Sequence, residues 1–190
     1  MRDAAGLQAW LESIIRHGAG RSDAILFAAS HRAVLAGDWS ALTETAELAL
    51  ALQPSAERRL EATAQGRAFL AAVEAVWPSP IIDRFKQAWP DDTAYPVAVG
   101  VASAAHGLPL APALRAALHG VAANLVSAGV RLIPLGQTDG LKVLAGLESA
   151  IERSAREAQA ASLDEVGGAT LLADIASMRH ETQYTRLFRT

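Results

Sequence analysis

A chain of 190 residues is long enough for one domain with a sizeable core and needs no second one. Its net charge of -3 and pI near 5.9, without a basic stripe, argue against sequence-independent binding to nucleic acid, which requires a concentrated cationic surface. Alanine supplies about a fifth of the residues and aromatics only 5%, so summed propensity predicts an all-α protein.

Asp3 precedes LQAWLESIIRH, which sets Leu7, Trp10, Leu11, Ile14 and Ile15 on one helical face as far as about His17. Ser22 or Asp23 is placed to cap a second helix, AILFAASHRAVLA, which Gly37 closes, and Asp38 a third, WSALTETAELALAL. Pro54-Ser55 opens a longer helix to about Val76, with Leu60, Phe69, Leu70 and Val73 facing inward and Arg58, Arg59, Glu61 and Arg67 solvated. The proline-rich stretch WPSPIIDRFKQAWPDDTAYP predicts a loop holding one short helix between Pro80 and Trp89. Next, YPVAVGVASAAHG carries Ala98, Gly100, Ala102 and Ala104, small residues that let helix axes approach closely, and it is expected to be a central buried helix. LAPALRAALHGVAANLVSAGVRL forms a long helix to about Leu132, and Gly140 to about Ala161 another. A linker from Ser162 to Gly168 and a short helix from about Ala169 to Met178 follow. The expected architecture is a single-domain bundle of about eight helices over residues 1–178, with an extended C-terminal tail at 179–190.

The break RLIPLGQTDG, residues 131–140, invites a phosphate-loop reading. That chemistry needs Gly-x4-Gly-Lys-Ser/Thr after a strand, so that successive N–H groups and a lysine converge on phosphate. Here Gly136 and Gly140 are too close, a helix precedes them and no hydroxyl follows Lys142. The bland alternative is a helix connector in which Thr138 or Asp139 caps the next helix. Pro134 stops the preceding helix and restricts Ile133 to extended backbone, while Gly136 and Gly140 permit tight turns; the expected result is a rigid corner presenting Arg131 and Gln137.

None of the five histidines stands three or four residues from another, and His-Glu-x-x-His is absent, so no helical metal site is legible. Ser103 lies near His106 without a Gly-x-Ser-x-Gly elbow or an orienting acid, which leaves a hydrolytic triad unsupported. Without cysteine there is neither a disulfide nor a thiolate metal site. The long apolar stretches are interrupted by Arg, His or Asp before reaching the roughly 20 residues of a membrane span, and the start lacks the apolar core of a signal peptide. A soluble, cytoplasmic protein is expected. The closing MRHETQYTRLFRT interleaves Arg179, Arg186 and Arg189 with Tyr184, Leu187 and Phe188, the anchor types of interface hot spots, so docking onto another chain is preferred over packing on its own bundle.

These same segments resemble the UreF family of urease accessory proteins. The resemblance rests on YPVAVGVASAAHGL at 95–108, RLIPLGQTDG at 131–140 and SMRHETQYTRLFR at 177–189, supported by WLESIIRHGAGRSDAILF near the start. It implies an all-helical, non-catalytic adaptor that forms a homodimer and recruits UreD (also called UreH) and the GTPase UreG to apo-urease for nickel insertion. No cofactor is bound directly; nickel and GTP belong to the complex, the nucleotide being held by UreG. On this reading the partner-binding residues are Arg131, Pro134, Leu135, Gly136, Gln137, Asp139 and Gly140 at the corner, where Arg131 pairs with carboxylates of UreG. In the tail they are Arg179, His180, Glu181, Tyr184, Arg186, Leu187, Phe188 and Arg189, against UreD. The family pattern also has a segment of Pro-x-Gly-x-Phe and Ser-x-Gly-Leu-Glu type ahead of the residues matching Met1-Arg-Asp. Its absence here is read in one of two ways: the start has been assigned too late, or the chain is a shortened variant whose bundle lacks its first helix and exposes an apolar groove. The rival expectation is a helical-bundle enzyme, or a ligand or nickel carrier, with a pocket around Tyr95, His106 and His119.

Overall fold

The computed structural model describes residues 3–184, which form ten α-helices and one 3-10 turn. The helices are α1 (Ala4–His17), α2 (Ala19–Ala36), α3 (Trp39–Ala51), α4 (Ala56–Val76), α5 (Pro80–Ala88), α6 (Tyr95–Ala105), α7 (Leu110–Leu132), α8 (Gln137–Gly146), α9 (Glu148–Ala160) and α10 (Leu171–His180). The all-α expectation is met. Short polar side chains start several helices: Asp3 Oδ1 accepts from Gly6 N at 2.8 Å, Asp38 Oδ1 from Ala41 N at 3.0 Å, and Ser55 Oγ from Arg58 N at 3.2 Å. Gly37 ends α2 at φ 67, where the N–H groups of Gly37 and Asp38 satisfy the carbonyls of Val34 and Ala33.

Two apolar clusters share one helix. Phe27 and Ala28 of α2 join Leu7, Leu11, Leu118, Val126, Leu147 and Ile151 in the first; Leu26 and Val34 join Leu42, Leu70, Ile82, Phe85, Val97 and Val101 in the second. Because α2 faces both clusters it is buried nearly all round, and an amphipathic pattern is absent for that reason. Its partner α6 lies so close that a Cβ on Gly100 would stand 2.6 Å from the Phe27 carbonyl oxygen, as the small-residue pattern of that helix predicts. Arg32 fixes the opposite side of α2, donating to the carbonyls of Gln159 and Ala161 at 3.0 Å each, at the C-terminal end of α9.

Several local expectations need correction. The second helix begins at Ala19, ahead of the expected cap: Gly20 lies against α1, where a Cβ would meet Ile15 Cα at 2.8 Å, so the chain turns at Gly18 and Asp23 ends up inside α2. The expected helix from Gly140 to Ala161 is two helices. They separate at Leu147, whose side chain is fully buried and whose N–H bonds the Leu144 carbonyl at 3.1 Å, directly after Gly146 abuts Gln8. Leu60 is 51% exposed and Trp10 41% exposed, while Arg58 and Glu61 are half-buried. Length and composition make α7 long and apolar enough to cross a membrane; it carries Arg115, His119 and Arg131, and Leu114, Leu118 and Val126 pack into the first core.

Candidate functional site

The corner between α7 and α8 is shaped by its proline and by one close helix contact. Ile133 is extended at φ -116, ψ 145, as the residue before Pro134 must be, and its buried side chain anchors the turn. Leu135 packs half-buried against the first core, leaving Pro134 and Gly136 exposed. Gly136 is the cap residue of α8, at φ -80, and Asp139 Oδ2 accepts from its N–H at 3.4 Å. Thr138 and Asp139 therefore sit within the first turn of α8, and neither glycine of the corner has a positive φ. Gly140 is required instead by packing, because a Cβ there would meet Val130 Cγ2 at 2.8 Å. The outcome is a fixed turn presenting the exposed Arg131 and Gln137 from the end of α7 and the start of α8.

The C-terminal segment is held differently. No residue of α10 is buried, and Leu171, Leu172 and Met178 are 67%, 83% and 49% exposed. Polar contacts attach it to the start of α4: Ser177 Oγ lies 2.7 Å from Ser55 Oγ, His180 Nδ1 lies 2.6 Å from Glu57 Oε2, and Glu181 Oε1 accepts from Ala56 N at 2.5 Å. Glu181 thereby places a negative charge at the N-terminus of α4. Arg179 is exposed on the last turn of α10, and Tyr184 is fully exposed. Arg186, Leu187, Phe188 and Arg189 lie outside the described residues.

Corner and C-terminal segment are not one patch. Leu7, near the start of α1, touches Gly129 below the corner, while His17 at its end accepts from Ala169 N at 2.6 Å ahead of α10. At 1.5 Å per residue these contacts are about 15 Å apart along α1. Between α1, α4, α7 and α10 opens a groove of about 590 Å³, lined by Trp10, Ile14, Val121 and Leu125, with Asp23 and Tyr95 reaching in from α2 and α6. His106 and His119 do not line it, so the expected pocket joining them to Tyr95 is not formed. Among the described residues no group of three or more His, Asp or Glu side chains is placed to hold a metal ion.

Comparison with known proteins decides the family. The model of the UreF family matches residues 1–148. The urease accessory protein UreF of Rhodopseudomonas palustris strain HaA2 is 54% identical over 187 residues, covering 98% of this chain and 79% of that protein. The protein of the same name from Xanthobacter autotrophicus strain Py2 is 53% identical over 189 residues, covering 100% and 78% respectively.

The chain belongs to the UreF family. As a UreF-family member it is a urease accessory protein, serving urease maturation in a chaperone-like role and not as an enzyme. The resemblance carried by the three sequence segments is thus borne out across nearly the whole length. What residue reading missed in this UreF-family chain is the charge inside the groove: Asp23, Glu61 and Asp174 against Arg58. Arg58 is engaged by Glu61 at 2.5 Å, and burial pushes the Asp23 carboxyl up to about 6, the nearby Arg58 opposing and Glu61 adding to that effect. No local signal marked it, since Asp23 stands directly ahead of the apolar AILF and reads as a helix cap.

Proposed function

We propose that this chain is the non-catalytic adaptor of a cytoplasmic urease-maturation complex, recruiting the GTPase UreG at the corner and UreD (UreH) at its C-terminal end, so that nickel reaches apo-urease. In that assembly it acts as a homodimer. Nickel is cargo and GTP is held by UreG.

The observation that carries the reading is the fixed corner. Proline restriction, the buried Ile133 and the close contact of Gly140 with Val130 hold Arg131 and Gln137 at the surface before any partner arrives, which lowers the ordering cost of association. Arg131 pairs with partner carboxylates and Gln137 bonds exposed backbone, with Pro134, Leu135, Gly136, Asp139 and Gly140 shaping the turn between them. At the other end, the outward Leu171, Leu172 and Met178 of α10 add apolar area to the anchors Arg179, Tyr184, Arg186, Leu187, Phe188 and Arg189. His180 and Glu181 hold the base of that segment to α4.

Co-purification with each partner separately tests the assignment. Arg131→Ala is expected to weaken capture of UreG by an amount set by burial of the pair, about 2–5 kcal/mol for a desolvated charge and much less at a rim, while capture of UreD is unaffected. Removal of residues 179–190 is expected to abolish capture of UreD with helical content retained. Unchanged UreG binding by the first variant removes the corner from the interface; unchanged UreD binding by the second removes the tail.

A further inference from the structure

The groove between α1, α4, α7 and α10 lies apart from the corner and borders the C-terminal segment only through the inner side of α10, and its chemistry is unusual for an open cleft. Trp10, Ile14, Val121 and Leu125 make it apolar, and a recess of about 30 Å³ beyond Asp23, Tyr95 and Val121 continues to Phe27 and Leu118 of the core. Into this surface project three carboxylates and one guanidinium. Glu61 and Arg58 satisfy each other, but no hydrogen bond or ion pair reaches the carboxylate of Asp23 or of Asp174 among the described residues. Asp23 thus sits half-buried in apolar surroundings without a direct ion-pair partner: Arg58 acts on it only from a distance while paired with Glu61, and burial outweighs that attraction in raising the Asp23 pKa.

We propose that the groove receives an apolar segment of a partner polypeptide carrying one basic side chain, whose cation sits at Asp23 while its apolar neighbours cover Trp10, Val121 and Leu125. Charge complementarity selects this occupant. A purely apolar segment would seal Asp23 away from water uncompensated, and an acidic one would add repulsion, whereas a lysine or arginine both neutralises the site and extends its stem along apolar wall. The cleft lies open between helices in the manner of grooves that accept peptide segments, and the exposed amide of Asn124 on its lining faces the space a peptide backbone would occupy. The proposal is independent of the UreG assignment, and it shares only the α10 wall with the UreD assignment, its cation site at Asp23 lying on α2.

Selection from a random dodecapeptide library displayed on phage tests it, using the intact chain and two variants. Gly120 lies on the groove wall with open space where its Cβ would be, so Gly120→Trp fills the groove from a helical position that accepts a side chain. Asp23→Asn removes the charge and keeps the shape. The expected winners carry a lysine or arginine among apolar residues. A fluorescein-labelled synthetic copy is expected to bind in polarisation assays, to weaken at least tenfold when norleucine replaces its basic residue or when Asp23→Asn is the receptor, and to lose binding to Gly120→Trp at unchanged helical ellipticity. Winners without basic enrichment, or equal binding to Gly120→Trp, overturn the proposal. So does a dimer that Gly120→Trp alone converts to monomer in sedimentation, which would make the groove a seam with a second copy. Peptide binding at least tenfold tighter to a chain ending at Tyr184 overturns it too, by making residues 185–190 the occupant.

Discussion

Replacing Asp23 by asparagine is expected to stabilise the protein at neutral and alkaline pH and to do nothing in acid. The Asp23 carboxyl has its pKa raised from 3.8 to about 6, chiefly by burial, against the opposing charge of Arg58 on α4 and with reinforcement from Glu61. A folded-state pKa above the unfolded one means that the native state binds the proton more tightly, so the contribution of this group to stability falls as pH rises from about 4 through 6 and is constant beyond. At 1.36 kcal/mol per unit the full loss is at most about 3 kcal/mol, an upper limit because the side chain is half-buried. The other charged or titratable groups of the groove, Asp174 of α10 and Tyr95 of α6, are common to both proteins. The asparagine amide cannot ionise and therefore lacks the pH-dependent loss. Urea unfolding of both proteins from pH 4 to 8, at fixed ionic strength, should give curves that coincide near pH 4 and diverge by up to about 3 kcal/mol at pH 8, the variant being the more stable. In melting temperature that is roughly 6–12 °C for a domain of this size. A difference that does not change with pH, or a variant less stable at pH 8, refutes the placement of Asp23 as an acid whose burial outweighs the attraction of Arg58.

Two further outcomes test the packing and the attachment of α10. Gly66→Ala is expected to destabilise by about 1–3 kcal/mol although alanine is the better helix former, because the added Cβ would fall 2.0 Å from the Thr93 carbonyl oxygen and force α4 away from the segment before α6; calorimetry of Gly66→Ala beside Gly120→Ala, which meets nothing within 4 Å, should move the two melting temperatures in opposite directions. Glu181→Gln is expected to raise hydrogen exchange of the amides of α10 and of Ala56 and Glu57 while shifting global stability by less than about 1 kcal/mol, since it removes a charge from the N-terminus of α4 without touching either core; equal exchange in both proteins would show that the cap does not hold the segment.

The helices were legible where local chemistry dictates them and illegible where a distant contact does. Asp3, Asp38 and Ser55 cap helices because their short side chains reach back to nearby backbone, a matter of three residues. Gly146 and Leu147 divide α8 from α9 because Gln8, far away in the chain, occupies the space beside Gly146 and because Leu147 must enter the core. Nothing local distinguishes that glycine from one tolerated within a helix. Gly140 illustrates the same limit at the corner: its presence suggested a tight turn, but it is helical and is kept small by Val130. The charged groove was not legible, since its charges come from α2, α4 and α10, and their convergence is a property of the fold.

The corner and the C-terminal segment would present their proposed docking residues under opposite physical conditions, and that difference bears on how a maturation factor can be assembled. The corner is fixed from behind by Ile133, Leu135 and Gly140, so its contribution to binding is reduced by little more than side-chain ordering. The α10 segment has no buried residue and rests on hydrogen bonds and an ion pair, each exchangeable with water or with a partner. Local opening there sacrifices no core contact, so a partner that recruits Leu171, Leu172 and Met178 gains apolar burial without first disrupting any. A rigid turn suits repeated exchange with a partner that changes state, because nothing must be reordered at each encounter. A loosely held helix suits a longer-lived association, in which the area newly buried outweighs the cost of ordering.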